Sequence, residues 1–399
     1  VSGHIARAGI VGTAQSRYRT HRPDVHYAEL VQQTAFDVLA DAGMTIDDID
    51  AIVFAMAPTD FVGITDVDKW AIGAIGGAGK PFMRVQLGGA TGVAAAQAGY
   101  FHAASGEFDN VLVIGADKVA ETPDGQHVLS LMFDPFYERE SGLNTITMAA
   151  LHAEMHMRKY GTTTEHLDQV AIRAWRRAQR NPHAHLSGIL EPADLAVSPL
   201  IATPLRRYDV CPRSTGAAGV IISSERAIAR DQRDAAWVTG VGAIANSVFI
   251  GDRTGADADL NYADWGELRL AADQAYAQAG ITDPASQLDV VEIYAPFTIC
   301  EVSGVEALGL CAPGEGGPAL ARGDFDTGAA VEVNPSGGTL CANPIAVTGL
   351  VRVCDAAAQL LNRAGDMQKA RAQRAVATAV GGTFQFQSVM VMDRQPQED

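Results

Sequence analysis

The feature that most constrains this chain is that it carries its own pattern twice. AELVQQTAFDVLADAG (28–43) and GELRLAADQAYAQAG (266–280) recur with a period of about 237 residues, too long for a solenoid and suited to a duplicated domain. Each sets apolar residues at helical spacing and ends on a glycine that can cap a helix in the left-handed conformation. Each is followed by an acidic turn and an apolar strand ending in Ala-Pro, IDAIVFAMAP (49–58) and LDVVEIYAP (288–296). Upstream lie further strand-like runs, ARAGIVG (6–12) and AWVTGVG (236–242). Strand, long connection, helix, strand, repeated, implies a buried parallel or mixed sheet in an α/β protein.

Downstream, RVQLGGATGVAAAQAGYFHAASG (84–106) and EVNPSGGTLCANPIAVTGLVRVCDAAAQLL (332–361) each read as a glycine-rich turn feeding a helix of small residues, which lets a helix enter a crowded core. NVLVIGADK (110–118) and AVATAVGGTFQFQSVMVMD (375–393) supply further strands. The halves are therefore 1–230 and 235–399. The first carries an insertion over about 119–205, with two helical patterns broken at Gly161 and Thr162 to Thr164, suited to a lid or a side wall over a site.

Charge and composition exclude several functions. Lys+Arg 30 against Asp+Glu 47 gives a net charge of −17, which repels phosphodiester backbones and anionic headgroups, so neither nucleic acid nor membrane insertion is expected. No apolar run approaches the roughly 18 residues a spanning helix needs, and VSGHIARAGIVG lacks the pattern of a secretory leader, so a cytoplasmic location is expected. Five cysteines, with no Cys-x-x-Cys pair, suggest neither a disulfide framework nor a zinc site. Residues 1–210 have no cysteine, so no thiolate nucleophile is expected from the first half, and the last histidine is His185, so no histidine base comes from the second.

Several motifs read better as structure. GVGAIA (240–245) nearly matches a dinucleotide fingerprint but lacks the acidic strand end that should follow, leaving a tight strand-to-loop turn. AIGGAGK (74–80) fails as a phosphate loop. His152 and His156 lie four apart on one helix face with no third ligand in sight, so a surface or interface pair is expected and no metal. The glycine-dense turns LGGATG (87–92), NPSGG (334–338) and VGGT (380–383) stand at related places in the duplicated pattern, where backbone N–H groups can converge on an oxyanion.

The duplicated pattern, together with KYGTTTEHLDQVAIRAWRRAQRNPHAHL, SPLIATPLRRYDVCPRSTGAAGVIIS, DVVEIYAPFTICEVSGVEALGL and NPSGGTLCANPIAVTGL, resembles the thiolase superfamily, above all its sterol-carrier-protein-X type and lipid-transfer thiolase-like members. The resemblance implies a duplicated five-layered αβαβα fold with an inserted loop domain, a homodimer, and acyl-CoA substrates, with coenzyme A entering as part of the substrate and no covalently bound cofactor. Departures from the family pattern then shape the function. Gly89 stands where the nucleophilic cysteine belongs, Ala379 where the second cysteine belongs, Asn343 in place of the Gly-His-Pro histidine, and Tyr294 in place of the Asn or His of a further motif.

A cysteine-less subgroup is similar in this respect, the bacterial aldolases that shorten steroid side chains together with a small OB-fold, zinc-ribbon partner. The resemblance therefore implies a carbon–carbon lyase of aldolase type that cleaves a β-hydroxyacyl-CoA, a steroid side-chain thioester, to a ketone and a short acyl-CoA such as propionyl-CoA. Such chemistry needs a base, oxyanion donors and a proton for the departing carbon, but no acyl-enzyme. Tyr294 is assigned as base or proton shuttle, Asn343 and the Gly381 and Gly382 backbone as oxyanion donors, and Gly89 as the space for a non-covalent substrate. Ser336 is placed in the same pocket. Two alternatives stand beside this one: a thiolase or acyltransferase whose nucleophile is displaced to Cys341, and a non-catalytic acyl-CoA or lipid-binding subunit.

Overall fold

The computed structural model describes residues 6–56, 58–255, 258 and 260–396, so Ala57 of the first Ala-Pro and the first five residues of the chain lie outside it. Strands β1 (Ala8–Gln15), β2 (Ala51–Ala55), β3 (Phe82–Val85), β4 (Asn110–Lys118), a small hairpin of β5 (Leu200–Ala202) and β6 (Leu205–Arg206), and β7 (Thr215–Ser224) belong to the first half. The second half contributes β8 (Ala236–Ala245), β9 (Val290–Glu292), β10 (Glu332–Val333), β11 (Arg374–Gly381) and β12 (Phe386–Asp393). The large sheet runs β10-β9-β11-β12-β8-β1-β7-β4-β2-β3. Read outward from its centre, the two halves have the same order, and they join through two antiparallel pairs, Gly9 with Trp237 and Ile10 with Ala236.

The repeated helices form as the sequence dictates. Tyr27–Ala42 buries Leu30, Val31, Thr34, Ala35, Val38, Leu39 and Ala42, a stripe at three- and four-residue spacing, and stops at Gly43 with φ 63°. Each of the larger side chains contributes about 1.5–3 kcal/mol by leaving water. Its counterpart Gly266–Ala279 stops at Gly280 with φ 64°. GVGAIA is not a turn. It lies inside β8, where a Cβ on Gly240 would sit 2.1 Å from the Ala275 carbonyl oxygen and one on Gly242 1.8 Å from that of Ala271. Those glycines let the helix Gly266–Ala279 rest directly on the strand.

The central layer is a pair of helices, Thr91–Ala104 and Thr348–Leu360, which pack against each other and against strands of both halves. They touch backbone to backbone: a Cβ on Gly92 would lie 2.1 Å from the Leu350 nitrogen, and one on Gly349 2.8 Å from that of Val93. This closeness brings the two helix N-termini together, and with them the loops that precede them. Between β4 and β7 the insertion forms helices Thr145–Tyr160 and Thr164–Ala178, broken at Gly161 with φ 75°. Among the described residues no helix is long and apolar enough to cross a membrane.

Candidate active site

The loop that introduces the first central helix is built almost entirely from backbone. The Thr91 hydroxyl donates to the Gly88 carbonyl at 2.6 Å and accepts the Leu87 N–H at 2.7 Å, closing a tight turn over residues 87–90. Gly89 faces a cleft of about 780 Å³, within the range of small-molecule sites. A Cβ on Gly89 would stand 2.3 Å from the Val380 carbonyl oxygen and 3.2 Å from the Tyr294 hydroxyl. The space a side chain would need is thus taken by the opposite half.

Tyr294 follows the short strand β9 at its C-terminal tip, is 3% exposed, and is anchored through its N–H to the Thr378 hydroxyl at 3.1 Å. Its hydroxyl is 2.9 Å from Asn343 Oδ1 and 3.0 Å from the Ile345 carbonyl oxygen, either of which can accept its proton. Burial is the main cause that pushes this phenol well above its ordinary pKa, so at neutral pH it holds its proton. Ile345, a β-branched residue, has φ 46°, and Phe384 in the cleft wall has φ 70°. Backbone of that kind costs on the order of 1–3 kcal/mol per residue and persists where the surroundings enforce it.

Asn343 is the hub of the polar site. Its Oδ1 also accepts from the Thr348 hydroxyl at 2.8 Å, and its Nδ2 donates to the Cys211 sulfur at 3.0 Å. Its main chain exchanges bonds with Ser214: Asn343 N–H donates to Ser214 Oγ at 3.0 Å and Ser214 N–H to the Asn343 carbonyl at 3.1 Å. Ser214 Oγ is in turn 2.9 Å from His185 Nδ1, whose other nitrogen is 3.0 Å from the Thr20 hydroxyl. A histidine of the insertion thus props the loop that carries Asn343. Burial depresses the His185 pKa, with Arg207 adding to the effect.

Of the residues singled out in the sequence, Tyr294, Asn343, Gly89, Gly381 and Gly382 line one cleft. Gly381 packs under the 87–90 turn, where a Cβ would meet the Leu87 carbonyl oxygen at 2.4 Å. Ser336 and Cys341 do not line it. Ser336 is 1% exposed, donates to Glu292 Oε2 at 2.8 Å and accepts from Arg352 Nη1 at 2.8 Å, so its hydroxyl serves a buried ion pair beneath the site. Cys341 is 1% exposed, and burial raises its thiol pKa far above the usual range. Ala379 also turns away, its Cβ lying 2.9 Å from the place a Cβ on Gly349 would take.

The structure narrows two expectations. His152 and His156, expected as a surface or interface pair, are both fully buried at a contact within the chain. His152 sits among the rings of Tyr262, Trp265 and Phe384, and His156 bonds Thr162 Oγ1 at 2.9 Å and Glu306 Oε2 at 3.1 Å, so the helix face they share packs onto the second half. The first half supplies a thiol to the cleft, though not a thiolate: Cys211, half-buried, just beyond the cysteine-free residues 1–210, whose pKa burial pushes up to about 12. The sequence signal for it is the Cys-Pro that leads into β7, a place set by the fold and not by any spacing. Arg207 and Arg213 also line the cleft, together with an apolar wall that includes Phe61, Leu129, Ile146, Phe297 and Phe386.

Residues 8–189 match the family model described as thiolase, N-terminal domain, and residues 258–394 the one described as thiolase C-terminal domain-like. The acetyl-CoA acetyltransferase of Methanothermobacter thermautotrophicus is 28% identical over 391 residues, covering 96% of this chain and 99% of that protein. Sterol carrier protein 2 of Gallus gallus is 25% identical, covering 94% of this chain and 70% of that protein. Among solved structures, an Ltp2-ChsH2(DUF35) aldolase superposes with a TM-score of 0.81 at 24% identity, covering 97% of each chain. Human mitochondrial 3-ketoacyl-CoA thiolase gives 0.74 at 13% identity, covering 98% of this chain and 100% of that one. At these identities the structural likenesses establish the architecture.

Proposed function

This chain belongs to the thiolase superfamily, and from that premise we propose that it is an acyl-CoA retro-aldolase that cleaves a β-hydroxyacyl-CoA to a ketone and a short acyl-CoA. The observation that carries the reading is the crowding at Gly89, where the backbone of Val380 and the hydroxyl of Tyr294 occupy the volume a nucleophilic side chain would need. Without that nucleophile no acyl-enzyme forms there, while retro-aldol cleavage requires none.

In this mechanism the β-hydroxyl binds against Tyr294. Because burial holds the phenol protonated, Tyr294 acts as a relay: its oxygen accepts the substrate proton as its own proton moves on, so no free phenolate has to form. The electron pair of the breaking Cα–Cβ bond flows into the thioester enolate. That enolate lies near the N-termini of the two central helices and beside the Gly381 and Gly382 backbone, where positive partial charge and N–H donors favour an anion. The apolar wall suits a bulky rigid acyl group, and a steroid side-chain thioester fits that description. The name of the Ltp2-ChsH2(DUF35) aldolase supports the same reaction class and a small partner protein, and we propose both for this chain, on a homodimeric core.

The test is to incubate the protein with a β-hydroxyacyl-CoA and, separately, with a β-ketoacyl-CoA plus free CoA, and to identify products by mass. Ketone and a short acyl-CoA from the first substrate, with no CoA consumed, is the expected result. Thiolytic products from the second would establish an acyltransferase instead, and binding without products a carrier.

A further inference from the structure

Retro-aldol cleavage leaves one role unassigned by the reading above, on which this inference rests: something must deliver a proton to the carbon that departs as acyl-CoA. Cys211 and Tyr294 approach that place from different halves of the molecule and are tied to one group. The Asn343 carboxamide accepts from the Tyr294 hydroxyl on its oxygen, at 2.9 Å, and donates from its nitrogen to the Cys211 sulfur, at 3.0 Å. A planar carboxamide keeps its oxygen and nitrogen a fixed short distance apart, so the two groups are held side by side.

The direction of each bond matters as much as its length. Asn343 Nδ2 donates to sulfur, so the bond uses a sulfur lone pair and leaves the S–H proton free for the cleft, which Cys211 lines. The backbone fixes the rest. Val210 bridges Phe297, and the Cys211 N–H donates to the Pro296 carbonyl at 3.0 Å, fastening the Cys211 loop to the segment that follows Tyr294. Cys211 is therefore held to second-half residues by its own N–H and by its sulfur, with Val210 beside it held by the bridge to Phe297.

We infer that Cys211 is the catalytic proton donor to the enolate carbon, working with Tyr294 across the Asn343 carboxamide. The step balances within the substrate, these two side chains and the Asn343 carboxamide. The β-hydroxyl O–H bond breaks as its proton passes to the Tyr294 oxygen, and the oxygen's electron pair forms the ketone C=O. The Cα–Cβ pair becomes the enolate. The Sγ–H bond breaks as a Cα–H bond forms; Asn343 Oδ1 takes the proton released by the Tyr294 hydroxyl as its Nδ2 gives one to the sulfur, and the transient imidic acid returns to the carboxamide by proton exchange with cleft water. No oxidant, reductant or net proton is required, and all three side chains end as they began. A thiol whose acidity is suppressed by burial is a poor nucleophile, yet it readily protonates a carbanion, which is a far stronger base than a thiolate.

The experiment uses the enzyme purified with any partner it retains, and measures ketone release from a steroid side-chain β-hydroxyacyl-CoA alongside exchange of the α-hydrogens of propionyl-CoA with D2O. Cys211→Ala should lower turnover by roughly 10²-fold or more and abolish the exchange, with the Michaelis constant and unfolding midpoint little changed. Cys211→Ser should fall between, since a hydroxyl is a weaker donor in the same place, and it decides the matter if the alanine variant fails to fold. Wild-type activity with either variant within threefold of it, or lost turnover with exchange intact, overturns the role of Cys211 and leaves the retro-aldolase reading standing. A wild type that releases no ketone overturns the reading itself, and this assignment with it.

Discussion

Met56 and Tyr294 occupy the same place in the two copies of the frame, each directly before an Ala-Pro at the end of an inner strand. Met56 is 1% exposed and packs in the outer apolar cluster of the first half, whereas Tyr294 turns its hydroxyl into the cleft. The loops beside them differ in the same sense. Residues 86–90 join β3 to the first central helix by the shortest route, while residues 334–347 join β10 to the second by a longer one that contains Asn343. The topology is symmetrical and its chemistry is not. One copy offers a bare backbone turn, and the other offers the Val380 carbonyl and the Tyr294 side chain that crowd against it.

The largest expected effect tests that asymmetry directly. Tyr294→Phe removes only a hydroxyl, and if that hydroxyl relays a proton, turnover should drop by roughly 10²- to 10⁴-fold while stability changes by about 1 kcal/mol. Met56→Leu, at the matching position, should leave turnover unchanged and cost under about 1.5 kcal/mol. Steady-state kinetics and unfolding midpoints of the two variants decide it. Equal turnover losses in both would mean that the strand tips act through packing, and the contrast between the halves would collapse.

The next effect concerns how the insertion closes onto the second half. Burial, helped by the charges of His156 and Arg253, lowers the His152 pKa from 6.5 to about 3. The unfolded chain therefore binds a proton between those values that the folded chain does not, so stability is full above pH 6.5 and falls as pH falls toward 3. The loss should reach about 3 kcal/mol between pH 6.5 and pH 4. His152→Leu should flatten this part of the stability curve, measured by denaturant unfolding across that window. An unchanged acid slope in the variant would place the sensitivity elsewhere.

A smaller effect is expected on the backbone side of the comparison. Gly89→Ala drives a methyl toward the Val380 carbonyl oxygen, 2.3 Å from the ideal Cβ position, and should cost about 1–3 kcal/mol as turn and hairpin move apart. Gly89→Cys should cost as much and gain no acyl transfer, as unfolding curves and a thiolysis assay would show. A stable, thiolytic Gly89→Cys would mean that the cleft still accommodates the nucleophile it lacks.

How much of this was legible in the chain depended on whether the physics was local. The duplicated frame could be read because helix periodicity, glycine caps and apolar strands are written in consecutive residues, and Gly43 and Gly280 end their helices as expected. Five site residues could be placed because they sit in turns whose position in the frame is fixed. Gly240 and Gly242 misled because a glycine that admits a helix looks the same in sequence as a glycine that turns a chain. His152 and His156 could be read only as a surface or interface pair, because the aromatic rings and the Glu306 carboxylate that accept them are more than a hundred residues away. Ser336 misled for a related reason, since the charges that engage its hydroxyl, Glu292 and Arg352, come from a strand and a helix elsewhere in the chain. Cys211 stands in the segment SPLIATPLRRYDVCPRSTGAAGVIIS, but nothing local marks it as a residue of the cleft.

The smallest effect bears on the one residue that would restore symmetry with a thiol-dependent enzyme. Cys341 stands two positions before Asn343, yet its sulfur is buried outside the cleft, its acidity is suppressed by burial, and its carbonyl is taken by the His185 and Leu186 N–H groups, each at 3.0 Å. A thiol so placed behaves as a small apolar side chain. Cys341→Ser should therefore lower stability by about 1 kcal/mol, through an added hydroxyl in an apolar setting, and leave turnover within about twofold. Alkylation sharpens the point, because an electrophile small enough to enter the cleft meets Cys211 first, and reacts with it slowly since burial keeps that thiol protonated. Inactivation by such a reagent should persist in Cys341→Ser and vanish in Cys211→Ser, whose residual turnover becomes insensitive to it. The reverse pattern would make Cys341 the reactive thiol, and the chemistry of the second half would then depend on a nucleophile after all.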